Sequence, residues 1–457
     1  MMRALPVLLL LVACGDDPPT EGVLDPEIRR VSVEVLPTQA LRVTWRTDAP
    51  SDSWVRFGDL GAFTHEIGRS EAVTSHEVVV VGVHAGRTAM VAPRSGRTFG
   101  ERVEVRVPML PPHVPEGLVV THDAARADGG WTLTNISDRT LQWPRSAVIY
   151  DADGLPVWHA TPQPGEVDLR GDVDVQLTPE GTVLIGGSGP PNDPFEVDLA
   201  GEVVWRGTQR PFMQHHHLQR LDDGSTILLR LDEDEAQPEV IMDQVEWREP
   251  DGSLRWSWSA YDHLEAPPGS PRDFTHLNAV VVHGGDVYVN SRTFSELWKL
   301  DRDTGAIVWR LGERGDFALG PGAATLNQHA PEPQPNGDWL VYDNRQQHTR
   351  VVRLAVHEEA RTAEVAWAFP GEAEVDAWYR EDWYSGIWGD ADQLANGNVL
   401  VAYGNRVAGR ESRIFEVAPD GTVVWAMRLP SPEEGGLVGI YRAQRIAPMA
   451  ATLERAR

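Results

Sequence analysis

Six tryptophans recur along the chain at intervals of 47 to 58 residues: Trp158, Trp205, Trp256, Trp309, Trp367 and Trp425. Most close the same phrase, an Asp-Gly or Thr-Gly turn followed by alternating apolar residues. Examples are Asp-Gly-Leu-Pro-Val-Trp at 153–158, Thr-Gly-Ala-Ile-Val-Trp at 304–309 and Asp-Gly-Thr-Val-Val-Trp at 420–425. Such a unit cannot bury its apolar face alone, and stacking neighbours against it makes the core continuous. Repeats of this length built from short strands and tight turns are blades of a β-propeller. Six copies predict six blades around one channel, so residues far apart in sequence can be compared by their place in the repeat.

A second marker is a glycine turn ahead of an apolar run: Glu180-Gly181, Asp223-Gly224, Asn336-Gly337 and Asn396-Gly397, with Gly284-Gly285 as a variant. Asn-Gly and Asp-Gly supply the positive φ angles of two-residue hairpins. Eight residues before the glycine stand Val173, His216, His276, His329 and Gly389. The strand before such a turn is expected to be the innermost of its blade, so His216, His276 and His329 should ring one level of the channel. A period of two puts Asn278 on the same face as His276. One strand on, Arg292 offers a planar fork suited to oxyanions. The run His215-His216-His217 presents both faces, and the register selects His216. Three His could instead hold zinc, with Asp273 and Asp390 close to the register, but no His-x₃-His or His-Glu-x-x-His spacing supports a metal site. No Gly-x-Ser-x-Gly elbow and no Gly-x-x-x-x-Gly-Lys cradle occurs. No cofactor is expected.

The chain has 457 residues, 41% of them hydrophobic, with 42 Gly and 34 Pro, enough for a core and rich in turns. A formal net charge of −27 argues against nucleic acid and anionic membrane surfaces as partners. The apolar run Ala4 to Ala13 is too short to span a bilayer and ends in Leu-Val-Ala-Cys, the pattern of a bacterial lipoprotein signal (1–13). Cys14, the single cysteine, is then the lipidated residue of a tether (14–26), and no internal disulfide is possible. This predicts a lipid-anchored protein of the periplasm or cell surface, on the outer membrane, with the anchor as its only membrane contact. Residues 27–108 read as about seven short strands, a small fibronectin III-like β-sandwich. A proline-rich linker (109–116) leads to the propeller (117–446) and a C-terminal tail (447–457). The expected class is therefore all-β, a six-bladed β-propeller preceded by a small sandwich.

The phrases His216-His217-Leu218-Gln219-Arg220-Leu221, Asp273-Phe274-Thr275-His276-Leu277-Asn278, Ser291-Arg292, Asn327-Gln328-His329, Tyr342-Asp343-Asn344 and Tyr441-Arg442-Ala443 resemble, in family order, those of the bacterial arylsulfate sulfotransferases. The resemblance spans about residues 117–446. It implies a six-bladed propeller that moves a sulfuryl group from an aryl sulfate to a phenol through a sulfohistidine, without a nucleotide sulfate donor. The partners it implies are a small-molecule aryl sulfate donor and a phenol acceptor. His329 matches the nucleophile. His276, Asn278 and Arg292 match groups that hold the sulfuryl oxygens, and His216 matches the acid/base. Arg442 and His217 are further substrate-binding candidates, and Phe212, Trp383, Tyr384 and Trp388 are candidates for an aryl pocket. Two departures stand out. Ala330-Pro331 follows His329 where the family commonly has an acidic residue, and the cysteine pair of some members is missing. The competing readings are a non-catalytic, surface-anchored binding propeller and an aryl sulfate hydrolase using the same His site.

Overall fold

The computed structural model describes residues 25–138, 145–161, 174–186, 194–207, 214–233, 239–345, 348–370, 384–404, 411–430, 438–449 and 451–452. The leader with Cys14, and Val173, Phe212 and Trp383, lie outside the described residues. Among the described residues the architecture is all-β; the sole helical element is a 3₁₀ turn at Ala260–Asp262.

Six sheets of four or five strands, antiparallel apart from the short parallel pairing of Ala318–Leu319 with Thr362–Phe369, form the six blades of the propeller. Blades 2 to 6 begin with Asp174–Leu177, Gln214–Arg220, Leu277–His283, His329–Pro333 and Asp390–Gln393. These first strands contact one another around the axis, so they are the innermost, as the register of glycine turns predicts. Blade 1 is assembled from both ends of the propeller. Its innermost strand, Ala443–Ile446, pairs with Trp131–Asp138, which is followed by Ser146–Tyr150 and Pro156–Ala160. Reciprocally, Leu118–His122 is added to the outer edge of blade 6, against Val423–Leu429. The ring therefore closes by hydrogen-bonded strands contributed from opposite ends of the sequence.

All six repeat tryptophans stand on the last of the consecutive strands of their blades, Trp158 on Pro156–Ala160 in blade 1. Five of their indole N–H groups reach the neighbouring blade: Trp158 donates to Leu199 O at 2.9 Å, Trp256 to Arg302 O at 2.9 Å, Trp367 to Pro419 O at 3.0 Å and Trp425 to Ala152 O at 2.9 Å. Trp309 donates instead to the Glu358 carboxylate at 3.2 Å. Each acceptor lies in or beside the turn that precedes the next blade's own outer strand. The recurring phrase is thus a blade-to-blade staple: its turn accepts the previous indole and its Trp supplies the next.

Residues 25–107 form a seven-stranded sheet system with two long strands, Leu41–Asp59 and His65–Val80. The first half of Leu41–Asp59 pairs with Ile28–Val35, and its second half pairs with Thr88–Ser95. Where short strands were expected, Leu41–Asp59 is one long strand, with register shifts between Arg46 and Ser53. The proline-rich segment is not a free spacer either: Val114 is buried among blade 1 and blade 6 residues, and Pro115 O accepts from Tyr150. The tail returns too, since Ala451–Thr452 pairs with His65–Val80. Leu36, Ala40 and Val81 share one core with Trp131, Trp158 and Phe195 of blades 1 and 2.

Candidate active site at the channel

The backbone, not only the residue types, marks one level of the channel. The innermost strands of blades 3, 4 and 5 each slip register near their start: between Gln214 and Leu218, Leu277 and Ala279, and His329 and Glu332. At or just before these slips the chain turns left-handed at non-glycine residues, with φ of +53° at His216, +42° at His276 and +44° at Ala330; Trp388 in blade 6 has +62°. Bulges re-aim side chains next to active sites. Each left-handed non-glycine residue costs about 1–3 kcal/mol and persists where the surroundings hold it. Here the slip turns the matched histidines toward a common space.

His216 and His276 meet with ring centroids 5.0 Å apart. Tyr441 joins them, 6.1 Å from His216 and 6.5 Å from His329, with Trp388 at 6.4 Å from Tyr441. His329 is 2% exposed. Its Nδ1 lies 2.7 Å from Asn344 Oδ1 and 3.1 Å from Asn327 O. The Asn344 amide nitrogen donates to Ser385 O at 2.8 Å and Trp388 O at 2.9 Å, so its oxygen must be the atom facing His329. Two acceptors at Nδ1 require a proton there, and a neutral ring then carries its lone pair on Nε2. Burial, reinforced by Arg292 and His276 and only partly offset by the Asn344 hydrogen bond, pushes the His329 pKa down to about 3. His329 is therefore a neutral base with a defined tautomer.

Arg292 is partly exposed beside this group. Its backbone N–H donates to His276 O at 3.0 Å, and its guanidinium reaches only Gly386 O at 3.5 Å. It forms no ion pair among the described residues, so the fork is left for an incoming anion. His276 Nδ1 lies 2.5 Å from the carboxylate of Asp273. Burial works against ionising Asp273, but the contact with His276 prevails and holds its carboxyl below the ordinary value. Asp273, Asn344 and Tyr441 were not singled out by the repeat register. Tyr441 escaped because blade 1 takes its innermost strand from the chain's end: no hairpin turn follows Ala443–Ile446 from which to count back.

Arg442 and His217 are not brought into this group, and Asn278 meets it only through its backbone O, which accepts from Tyr441 Oη at 3.2 Å. Asn278 is fully buried; its amide donates to Gln328 O at 2.9 Å and accepts from Asn290 at 2.6 Å, fixing the segment that carries His329. Arg442 and His217 belong to a second ring, one residue further along the innermost strands, with Asp174 and Asp390. Arg442 Nε lies 2.6 Å from Asp174 and its Nη1 3.4 Å from Asp390. A guanidinium already matched by two carboxylates is a poor receptor for another anion. His217 Nδ1 accepts from Val280 N at 3.0 Å. This ring borders a cavity of about 480 Å³ that also meets Glu332, Asp392 and Gln444. Tyr384 is 37% exposed, and Trp388 packs against Gly439 and Tyr441. Among the described residues no group of three or more His, Cys, Asp or Glu is arranged to hold a metal ion.

In comparisons with known proteins, the family Arylsulfotransferase (ASST) matches residues 119–428, the span from the added strand of blade 6 to that blade's own outermost strand. No curated protein matches the chain. Among solved structures, a protein of unknown function from Bacteroides caccae is similar at 14% identity, covering 66% of this chain and 94% of its own, with a TM-score of 0.46. An auxiliary nutrient binding protein from Bacteroides thetaiotaomicron is similar at 12% identity, over 93% of this chain and 91% of its own, with a TM-score of 0.33. The C-terminal WD40 domain of Sif2 is similar at 8% identity, over 87% and 99%, with a TM-score of 0.34.

Proposed function

Because the chain belongs to the arylsulfotransferase family, we propose that it transfers a sulfuryl group from an aryl sulfate to a phenol through a covalent intermediate on His329. In the first half, His329 Nε2 forms a bond to sulfur while the sulfur–aryl oxygen bond breaks, and the leaving phenolate takes up a proton. In the second half an acceptor phenol loses its proton, its oxygen bonds to sulfur, and the sulfur–nitrogen pair returns to Nε2. The sulfuryl group arrives on the aryl ester itself, so no nucleotide donor enters the balance. Splitting one transfer into two easier displacements is the advantage of nucleophilic catalysis.

The observation that carries this reading is the tautomer lock. Asn344 is pinned by two carbonyls, holds Nδ1–H of His329, and leaves the Nε2 lone pair as the reactive atom. Arg292 is the group for the sulfuryl oxygens, where preorganised charge counts most. His216 and His276 are the proton-handling candidates, the latter backed by Asp273.

The test is a reaction of the purified protein with an aryl sulfate and a phenol acceptor, following released phenol, sulfated acceptor and intact-protein mass. Stoichiometric transfer, a sulfuryl adduct on the protein without acceptor, and loss of both in His329→Ala are expected. Phenol release with no sulfated acceptor would instead make the same site a hydrolase. No release across a broad donor panel would leave a binding propeller.

A further inference from the structure

His216 backs onto a buried pair that the transfer chemistry has not yet used. Its Nδ1 lies 2.7 Å from Nδ1 of His215. The other nitrogen of His215, Nε2, stands 3.0 Å from Asp243 Oδ1, with His215 4% and Asp243 0% exposed. The contact falls outside hydrogen-bond geometry, and neither atom has another polar partner. Buried polar atoms are rarely left unmatched, so the proton between them belongs on Nε2. The second oxygen of Asp243 accepts from Thr275 Oγ1 at 2.5 Å and Leu277 N at 2.6 Å, which anchors the carboxylate to the start of blade 4 beside His276. Asp243, His215 and His216 thus form a line from the core to the channel.

We propose that Asp243 and His215 are a proton store behind His216, so that the proton exchanged with substrate rests one ring away from it. This rests on the transfer reading above. In the resting state His215 is an imidazolium against Asp243 and donates from Nδ1 to His216 Nδ1, which leaves N–H on His216 Nε2. When the phenolate departs, His216 gives it that proton and receives the His215 proton at Nδ1. His215 ends neutral, with Nε2–H still on Asp243. When the acceptor phenol attacks sulfur, its proton enters His216 Nε2 and the Nδ1 proton returns to His215. No proton is gained or lost over the cycle.

The surroundings explain why one ring would not suffice. An imidazolium at His216 would be desolvated and would face His215, His276, His329 and Arg292; burial first, then these neighbours in that order, push its pKa well down. Stored on His215, the same charge sits against the Asp243 carboxylate, with Asp273 also close. His215 and Asp243 touch no substrate, and are positioning residues acting through His216.

The deciding measurement is single-turnover phenol release by the full-length protein from two donors. 4-Nitrophenyl sulfate expels a phenolate that needs no proton, whereas phenyl sulfate expels one that does. Asp243→Asn should slow phenyl sulfate by about 10²-fold and 4-nitrophenyl sulfate by less than about threefold, the size and selectivity of lost general-acid help. His215→Gln should do the same while sparing the Asp243 bonds to Thr275 and Leu277, and so decides the matter if Asp243→Asn folds poorly. In both variants the phenyl sulfate rate should also lose the wild-type dependence on pH. Equal slowing of both donors would overturn the relay and leave a merely structural pair. A wild-type protein that releases neither phenol would overturn the transfer reading, and the relay with it.

Discussion

At the scale of single residues, the chemistry depends on which nitrogen of each histidine carries the proton, and the neighbours decide this. Burial pushes the His329 pKa down to about 3. With 4-nitrophenyl sulfate, whose leaving group needs no acid, single-turnover release should hold its rate from pH 8 down to about pH 5. An acid limb centred near 6.5, the ordinary value for His, would mean that His329 is not the nucleophile or is not buried during reaction. Asn344→Leu removes both the acceptor at Nδ1 and the donor to the Ser385 and Trp388 carbonyls. It should lower single-turnover release at least about 10²-fold and cost about 1–3 kcal/mol of stability, read from rapid-quench and urea unfolding. Retained rate with lowered stability would make Asn344 structural only. Of these features the sequence showed the histidines but not their partners. His216, His276 and His329 share a distance from a glycine turn, whereas Asp273 stands three residues before His276, Asn344 follows the second strand of blade 5, and Asp243, two strands on in blade 3, acts through His215, so the partners share no common offset.

At the scale of strands and blades, the repeat was legible because it repeats a physical task. A Trp on an outer strand and the turn before the next blade's outer strand are two halves of one staple, and both leave a mark in the sequence: the Trp recurs six times, and the accepting turn is Asp-Gly or Thr-Gly at 153–154, 304–305 and 420–421. Trp425→Phe keeps most of the ring but loses the bond to Ala152 O, and so should cost about 1 kcal/mol in urea unfolding, against about 3–5 kcal/mol for Trp425→Ala. A Phe variant as damaging as Ala would show that ring shape, not the staple, matters. The second ring of the channel was missed because the same register was not counted one residue on, where Asp174, His217 and Asp390 stand. Its acids are under strain of a different kind. Burial, with help from Asp390, raises the Glu332 carboxyl above its ordinary value near 4.5. The folded state then holds a proton that the unfolded chain would release, so stability is lost as pH rises from the unfolded value through the folded one. Glu332→Gln removes that loss. Its melting temperature relative to wild type should rise between pH 4.5 and pH 8, and a constant difference would count against it.

At the scale of the whole molecule, cooperativity follows from where the chain ends are used. Blade 1 has no innermost strand until residues 443–446 arrive, and blade 6 has no outer edge strand until residues 118–122 are laid on it. Neither junction can form from a contiguous half of the chain. The N-terminal sheet system is bound into the same unit. Gln39 donates to Val83 O at 2.6 Å and to Pro156 O at 2.8 Å, Thr38 donates to Leu199 O at 3.1 Å, and His84 lies 3.0 Å from Asp151. These are buried or half-buried contacts of a shared core, not those of a tethered module, although composition and the proline-rich segment suggested separation. A proline run reads as a spacer in sequence because nothing local records that Val114 will be covered from both sides. One calorimetric transition is therefore expected for the intact protein, with calorimetric and van't Hoff enthalpies that agree. Removing residues 439–457 takes away Tyr441, Arg442 and the innermost strand of blade 1 together. It leaves Asp174 and Asp390 buried without their shared cation, a loss of about 3–5 kcal/mol before any strand pairing is counted. That truncation should not yield a folded ring. Two separable transitions in the intact chain, or a truncated chain that melts as cooperatively as the whole, would show that the six blades do not depend on this closure.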